Sequence, residues 1–493
     1  MIRTLIGALA AGVLGITVGM AQEPSAPIHS ALKKVLAAPD MAHASLGVYA
    51  VMVDNDSVII AHEADRSLVP ASTMKIVTTA AALEILGDSM RFRTDVEYSG
   101  RLDGNRVLQG HIYIRGGGDP TLGSRFFEQD YREPIAAIED WADSIASLGF
   151  DSINGAVIGD AQLYDFEMVP STWIWGDMGN YYGAGTSGLT VNDNSSKLVF
   201  ATGPVSGRPS KLLRTHPHVP GMTVENHVRG TDVDHDDAYV YGAPYNFERY
   251  ATGEIPKGRS AFEVKASIPD PALLTAQLLE AALRERGIGL SAPATTVRRE
   301  KLARTYWAPE RARITTTFSP PLREIVYWVN MKSVNLFAEH LQVAAGLKLE
   351  GVGSSAVGSA AIEAFWQRKG IGKRGLYVND GSGLSRFNGI TPRQMTDMLV
   401  YMTGSDHFEA FEASLPVSGR SGTLKGIGKG TPAENNLRAK SGTMTRVKSY
   451  AGYVHSRSGK RIAFSMILNN CDCSSYRALI KLQRLMVALA NTP

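Results

Sequence analysis

Ser72-Thr73-Met74-Lys75 places a hydroxyl and an amine three residues apart. On a helix such residues share a face, so the two side chains come within hydrogen-bond reach. A serine alcohol is a poor nucleophile until a base takes its proton. Lysine can be that base only as a neutral amine, which requires burial or a cationic neighbour to hold it below its usual pKa of about 10.4. A helix N-terminus would add positive potential and free amide donors, favouring both the neutral amine and a developing oxyanion. Ser30-Ala31-Leu32-Lys33 has the same spacing, but Lys33 and Lys34 fall on a polar stripe. Met74, Val77 and the run Thr78–Leu83 make the second helix largely apolar, so Lys75 is the amine expected to be buried.

Two further motifs could meet this pair. Ser333-Val334-Asn335 interrupts an otherwise helical pattern, Trp328–Leu341. A hydroxyl and an amide two residues apart do not share a helical face, so a turn at a helix boundary is expected, with Ser333 relaying a proton and Asn335 holding substrate. Ser152-Ile153-Asn154 has the same form, so this motif is weak alone. Lys440-Ser441-Gly442-Thr443 enters a strand near the C-terminus. Lys440 offers a second cation beside Lys75, and Gly442 lets backbone approach without a Cβ clash.

The elements that must position these motifs lie at both ends of the chain. Ile28–Ala37 has helical spacing, and Leu46–Val53 and Ser57–His62 form a hairpin around Asp54-Asn55-Asp56. Pro70-Ala71-Ser72 opens a helix over Thr73–Leu86 that Gly87 stops. Val447–His455 and Arg461–Leu468 make a second hairpin, with an amphipathic helix, Ser474–Ala490, after it. These elements imply one sheet built from both chain ends, with the middle inserted into it. Residues 95–310 have short strand-like runs rich in Gly, Pro and Asp, apart from a capped helix over Pro271–Arg286. Residues 194–261 are the most polar and read as a nested insert. The expected division is a core of 22–95 and 311–493, an insert of 96–193 and 262–310, and a nested unit of 194–261.

Composition narrows the class. The 493 residues are 44% hydrophobic and 20% charged, which excludes a disordered chain. Lys+Arg 51 against Asp+Glu 48 leaves +3, no field to argue for nucleic acid. Arg3, the apolar Leu5–Val18 and then Gly19-Met20-Ala21 read as a leader removed after Ala21, because a membrane span needs about 20 apolar residues. The mature protein is therefore expected to be exported, without a stable membrane span. Cys471 and Cys473, the only cysteines, could close only a strained, easily reduced ring, and two thiols without a catalytic role are the preferred reading. Gly351-Val352-Gly353-Ser354-Ser355-Ala356 fits a dinucleotide fingerprint but comes after helical sequence, where the fingerprint needs a strand. Asp232-Val233-Asp234-His235-Asp236 begins like a calcium loop, yet Asp237 and Ala243 stand where Gly and Glu are required. His216, His218, His227 and His235 fall in the same polar insert and read as solvated loop residues. No metal or cofactor is expected.

The three motifs in this order resemble those of the penicillin-recognising serine acyl-transferases. Within them the chain looks like the class C low-molecular-mass penicillin-binding proteins, the D-alanyl-D-alanine carboxypeptidase/endopeptidase type, marked by a long insert after the first motif. Tyr113–Leu122, Trp173–Asn194 and Asp380-Gly381-Ser382-Gly383-Leu384-Ser385-Arg386 also fit, while Ser441 stands where Thr is commoner. The resemblance implies an α/β transpeptidase-like core, an antiparallel sheet flanked by helices, with a large nested β-rich insert. It implies Ser72 as nucleophile, Lys75 as base, Ser333 and Asn335 in the relay, and Lys440 tuning the electrostatics. Amides of Ser72 and Thr443 would form the oxyanion hole. Hydroxyls of Ser441 and Thr443 would bind a terminal carboxylate, and Asp160 and Arg386 would line the cleft. The implied partners are peptidoglycan stem peptides and β-lactam inhibitors. A β-lactamase-like hydrolase and a non-catalytic wall-binding or sensing protein are the alternatives; the sequence sets no oligomeric state.

Overall fold

The computed structural model describes residues 26–127 and 136–493; the expected leader lies outside them. The central sheet joins the two chain ends. Its strands are β1 (Ser45–Met52), β2 (Val58–His62), β3 (Arg438–Met444), β4 (Val447–His455) and β5 (Arg461–Asn469), all antiparallel in the order β3-β4-β5-β1-β2. Alternation along β1 sends Val48 and Ala50 to one face and Tyr49 and Val51 to the other. The first face packs on α1 (Ala26–Leu36) and on the closing helix Ser475–Ala490, through Ile28, Leu32, Leu482, Leu485 and Met486. The second packs on α2 (Met74–Leu86).

That helix is apolar all round, and every residue from Met74 to Leu83 is buried, as expected of a helix enclosed by others. It lies against α3 (Leu322–Met331) and α4 (Asn335–Glu350), which are separated by the turn Lys332-Ser333-Val334. Gly351 ends α4 at φ +74°, and Ser354 caps the next helix, so the fingerprint-like segment is a link between helices. Among the described residues no helix is long and apolar enough to cross a membrane.

The intervening chain builds its own sheets. Arg93–Ser99 and Arg311–Phe318 pair antiparallel and lie beside Ile112–Arg115, Val157–Asp160 and Thr295–Thr296. These two strands carry the chain in and out, which shifts the expected 95/311 boundary by a few residues into the inserted sheet. Pro271–Glu285 forms as expected, with Asp270 Oδ1 accepting from the Leu273 amide at 3.1 Å. The nested unit is a small sandwich, closed on one side by Ser195–Ala201 between Lys211–His216 and Phe262–Ser267. It encloses Leu198, Phe200, Val228, Val240 and Ile255. The pairing of Ser195–Ala201 with Phe262–Ser267 carries this unit past the expected limit at 261.

The cysteine expectation fails. Cys471 and Cys473 form a disulfide. Asn470 leaves β5 at φ +57°, and the Asp472 amide donates to Asp40 O at 3.0 Å, which folds the two Cα atoms to 5.2 Å. That separation suits a bridge.

Phe464 on β5 is fully buried against the closing helix. Phe464→Ala is expected to lower unfolding stability by about 3–5 kcal/mol in urea titrations; a change below about 1 kcal/mol would show that this face carries no core.

Candidate active site

Ser72 sits in the short turn Ala71–Thr73 that leads into α2. The turn is pinned from β4. Ser449 Oγ donates to Pro70 O at 2.5 Å, and Thr73 Oγ1 donates to the same carbonyl at 2.8 Å. One helical turn on, Lys75 is 0% exposed. Its Nζ lies 3.1 Å from Ser72 Oγ, 2.6 Å from Asn335 Oδ1 and 2.6 Å from the Ser382 carbonyl. A neutral primary amine has two N–H donors and one lone pair. As an ammonium Lys75 donates to all three oxygens; as a neutral amine it keeps two of these bonds and can turn its lone pair to the Ser72 proton. Burial lowers the Lys75 pKa to about 7, against the opposing pull of Asp380 and Glu339. Lys33, in the look-alike motif, is exposed on α1.

The other two motifs reach the same place. Asn335 opens α4 and donates its Nδ2 to the Tyr182 carbonyl at 2.8 Å, which orients its Oδ1 to Lys75. Ser333 occupies the turn between α3 and α4 at φ +60°. Lys440 Nζ donates to Ser333 Oγ at 3.0 Å and to the Ser441 carbonyl at 2.7 Å. Lys440 is also 0% exposed, and burial together with the neighbouring Lys75 holds its pKa well below the usual lysine range. Gly442 brings β3 against the Ala71–Thr73 turn. A Cβ there would collide with Ser449 Oγ and stand 2.6 Å from Pro70 O and 3.0 Å from Ser72 N. Ser441 Oγ donates to Thr423 Oγ1 at 2.8 Å, and Lys448 Nζ donates to Thr443 Oγ1 at 2.7 Å.

The loop 380–386 supplies the third contact to Lys75. Gly383 has φ +82°, and a Cβ there would collide with the Ala71 carbonyl, so only glycine lets the loop press on the Ala71–Thr73 turn. Glu339 on α4 accepts from the Gly381 and Ser382 amides at 3.1 and 2.7 Å. Asp380 accepts from Gly383 N at 2.8 Å and from Trp173 Nε1, in the inserted region, at 2.8 Å. Burial, with Asp380 beside it, pushes Glu339 well above the usual carboxylate range.

A cleft of about 440 Å³ opens over these groups, lined by Ser72, Ser333, Asn335 and Thr443 on one side and by Asp177, Tyr182 and Arg386 among others. Arg386 lines this cleft. Asp160 is not among its lining residues. It ends the strand Val157–Asp160 in the inserted sheet, is 6% exposed, and its Oδ2 pairs with Arg311 Nη1 at 2.7 Å. That ion pair turns the carboxylate into the sheet edge. Sequence reasoning missed Glu339, the Ser382 carbonyl and Asp177. Glu339 lies four residues after Asn335 within a buried stretch, Leu336–Gly346, and that lone acid in an apolar run was its signal. The metal-like cluster among the described residues is Asp40 with Cys471 and Cys473. The sulfurs are bonded to each other, and Asp40 pairs with Lys481 on the closing helix at 2.8 Å, apart from the cleft.

Two outcomes test this geometry. Because Lys75 must be neutral to act as base, penicillin acylation of Ser72 should rise with pH and level off above a midpoint near 7; a rate flat from about pH 5.5 to 8.5 would exclude Lys75 as base. Gly442→Ala should push β3 off the Ser72 amide and cut the acylation rate by about 10²–10³-fold with the fold retained, measured by stopped-flow with a chromogenic β-lactam.

The model of one family, described as D-Ala-D-Ala carboxypeptidase 3 (S13), matches residues 28–492. A D-alanyl-D-alanine carboxypeptidase from an Actinomadura species is 30% identical over 453 residues, covering 88% of this chain and 79% of the relative. The D-alanyl-D-alanine carboxypeptidase DacB of Haemophilus influenzae is 22% identical, covering 86% and 85%. The crystal structure of penicillin binding protein 4 from Haemophilus influenzae matches with a TM-score of 0.77 at 21% identity, covering 94% of this chain and 98% of that one, and shares its fold. The same protein complexed with a β-lactam matches with a TM-score of 0.72. The family match runs almost end to end, and the motifs meet over one cleft: the chain belongs to the D-Ala-D-Ala carboxypeptidase 3 (S13) family.

Proposed function

We propose that this protein hydrolyses D-alanyl peptide bonds of peptidoglycan through an acyl-enzyme on Ser72. The observation that carries the reading is the buried amine of Lys75, within hydrogen-bond reach of Ser72 Oγ, Asn335 Oδ1 and the Ser382 carbonyl. As substrate enters, Lys75 takes the Ser72 proton and Oγ attacks the carbonyl carbon of the penultimate D-alanine. The oxyanion falls between the amides of Ser72 and Thr443, held together by the close packing at Gly442. As the C–N bond breaks, the proton taken by Lys75 passes to the leaving amine through Ser333 Oγ, which Lys440 holds at 3.0 Å. Water then attacks the ester by the reverse path and releases the stem peptide with Ser72 and Lys75 restored.

The terminal carboxylate of the substrate would sit against the hydroxyls of Ser441 and Thr443, near the Lys448 ammonium. Arg386 and Asp177 stand where the flanking part of the stem peptide would lie. Removal of a terminal D-alanine and cleavage of a cross-link differ only in the group beyond the scissile amide, so one site serves both. A β-lactam presents a strained amide to the same nucleophile, and the Haemophilus complex supports that inhibitor class here. The leader-like residues 1–21 and a wall substrate support export to the envelope.

Ser72→Ala should abolish penicillin adducts on the peptide containing position 72 and lower release of D-alanine and of cleaved muropeptides from purified peptidoglycan by at least about 10⁴-fold. Undiminished release by this variant would sink the mechanism.

A further inference from the structure

The nested unit turns one sheet face to solvent. Glu248–Pro256 runs between Thr223–Thr231 and Asp237–Tyr241, paired with both. Side chains alternate along each strand, so Val228, Val240 and Ala251 point into the core while Glu225, His227, Tyr239, Tyr241 and Tyr250 point out. A half-buried sheet is ordinarily polar on its wet side. This one carries a row of aromatic rings instead. Tyr241 and Tyr250 stand opposite each other in the register, their centroids 6.0 Å apart. His227 extends the row on one side, 5.0 Å from Tyr250, and Trp175 on the other, 6.1 Å from Tyr241. Trp175 is 53% exposed and Tyr250 41%, so these rings are open to a ligand.

The row leads to the catalytic cleft. Trp175 begins the short helix Trp175–Met178, and Asp177 of that helix lines the cleft. Asp237–Tyr241 is the edge strand behind it, and the Val240 amide donates to Asn180 Oδ1 at 3.0 Å. Burial raises the pKa of Tyr182 in the cleft wall, and Asp177 and the neighbouring Tyr239 add to the rise. The face is also acidic, with Glu225, Asp237, Glu248 and Glu254 against Arg229, which disfavours an anionic polymer or lipid surface. Rings in single file make too narrow a strip for the roughly 800 Å² per partner of a stable protein interface.

We propose that this face is a non-catalytic platform for a neutral glycan strand, with Trp175, Tyr241 and Tyr250 each lying under one sugar. A pyranose has a flat face of C–H groups to rest on a ring, and hydroxyls at its rim for the tyrosine hydroxyls and Glu225. The assignment rests on the reading of peptidoglycan as substrate. A strand held along the row presents the stem peptides it carries at the mouth of the cleft and raises their local concentration there.

The test is a calorimetric titration of the full chain with tetra-N-acetylchitotetraose, a neutral glycan, and with polyglutamate as the anionic comparison. Saturable binding of the glycan alone is expected. It should weaken about fivefold or more in Tyr250→Ala and at least about tenfold in Trp175→Ala/Tyr250→Ala. Both rings are exposed, so neither substitution opens a core. In Tyr250→Ala the KM for D-alanine release from purified peptidoglycan should rise about fivefold with kcat kept. Release from a free stem pentapeptide and penicillin labelling of Ser72 should stay unchanged in that variant, which separates failure of the platform from failure of the catalytic reading. No saturable binding, equal binding of polyglutamate, affinities unaltered in the variants, or equal losses on polymeric and free substrate would overturn the proposal.

Discussion

An amine buried away from water must match its hydrogens and its lone pair to the groups around it, and Lys75 has three oxygens within reach: Ser72 Oγ, Asn335 Oδ1 and the Ser382 carbonyl. As an ammonium it donates to all three; as a neutral amine it keeps two of these bonds and can turn its lone pair to the Ser72 proton. Only the second arrangement activates an alcohol. Burial favours the neutral state, the Asp380 and Glu339 charges oppose it, and the balance brings the pKa down to about 7. Glu339 is itself pushed upward, so the field that would recharge the lysine is weakened by the same desolvation.

The surrounding structure keeps that balance in place. Three segments distant in sequence converge on α2: the 333–335 turn, the 380–386 loop and β3. Two close approaches that tolerate no side chain lock them, Gly383 on the Ala71 carbonyl and Gly442 on Pro70 O and Ser72 N. Glu339 clamps the loop from α4, four residues after Asn335, so one helix sets two of the three Lys75 contacts. The insert takes part directly, because Trp173 bonds Asp380 and the Tyr182 carbonyl orients Asn335. β3 lies at the edge of the sheet, and an edge strand leaves backbone groups available to an extended peptide.

Much of this was legible in the sequence. Helical spacing alone paired Ser72 with Lys75, and the apolar run after Met74 distinguished it from the exposed Ser30/Lys33 copy. The two hairpins at the chain ends gave the sheet, because period-two alternation and turn residues are local signals. Asp160 misled because Asp at a strand end is common; only Arg311, far along the chain, decides that its carboxylate turns away from the cleft. The cysteines misled for a similar reason: spacing alone carries no information about the left-handed turn at Asn470. The edges of the insert shifted because strand pairing between 93–99 and 311–318 is a long-range choice.

Residue order by itself determined the chemical vocabulary: an alcohol and an amine on one helical turn, a second lysine, a glycine beside it, and an apolar helix to bury the base. Tertiary structure decided how basic the amine is. Acceptors for the amine come from positions 335 and 382, and the desolvation that lowers its pKa is a property of the packed whole. A pKa responds to everything within a few ångströms, and those neighbours lie hundreds of residues apart along the chain.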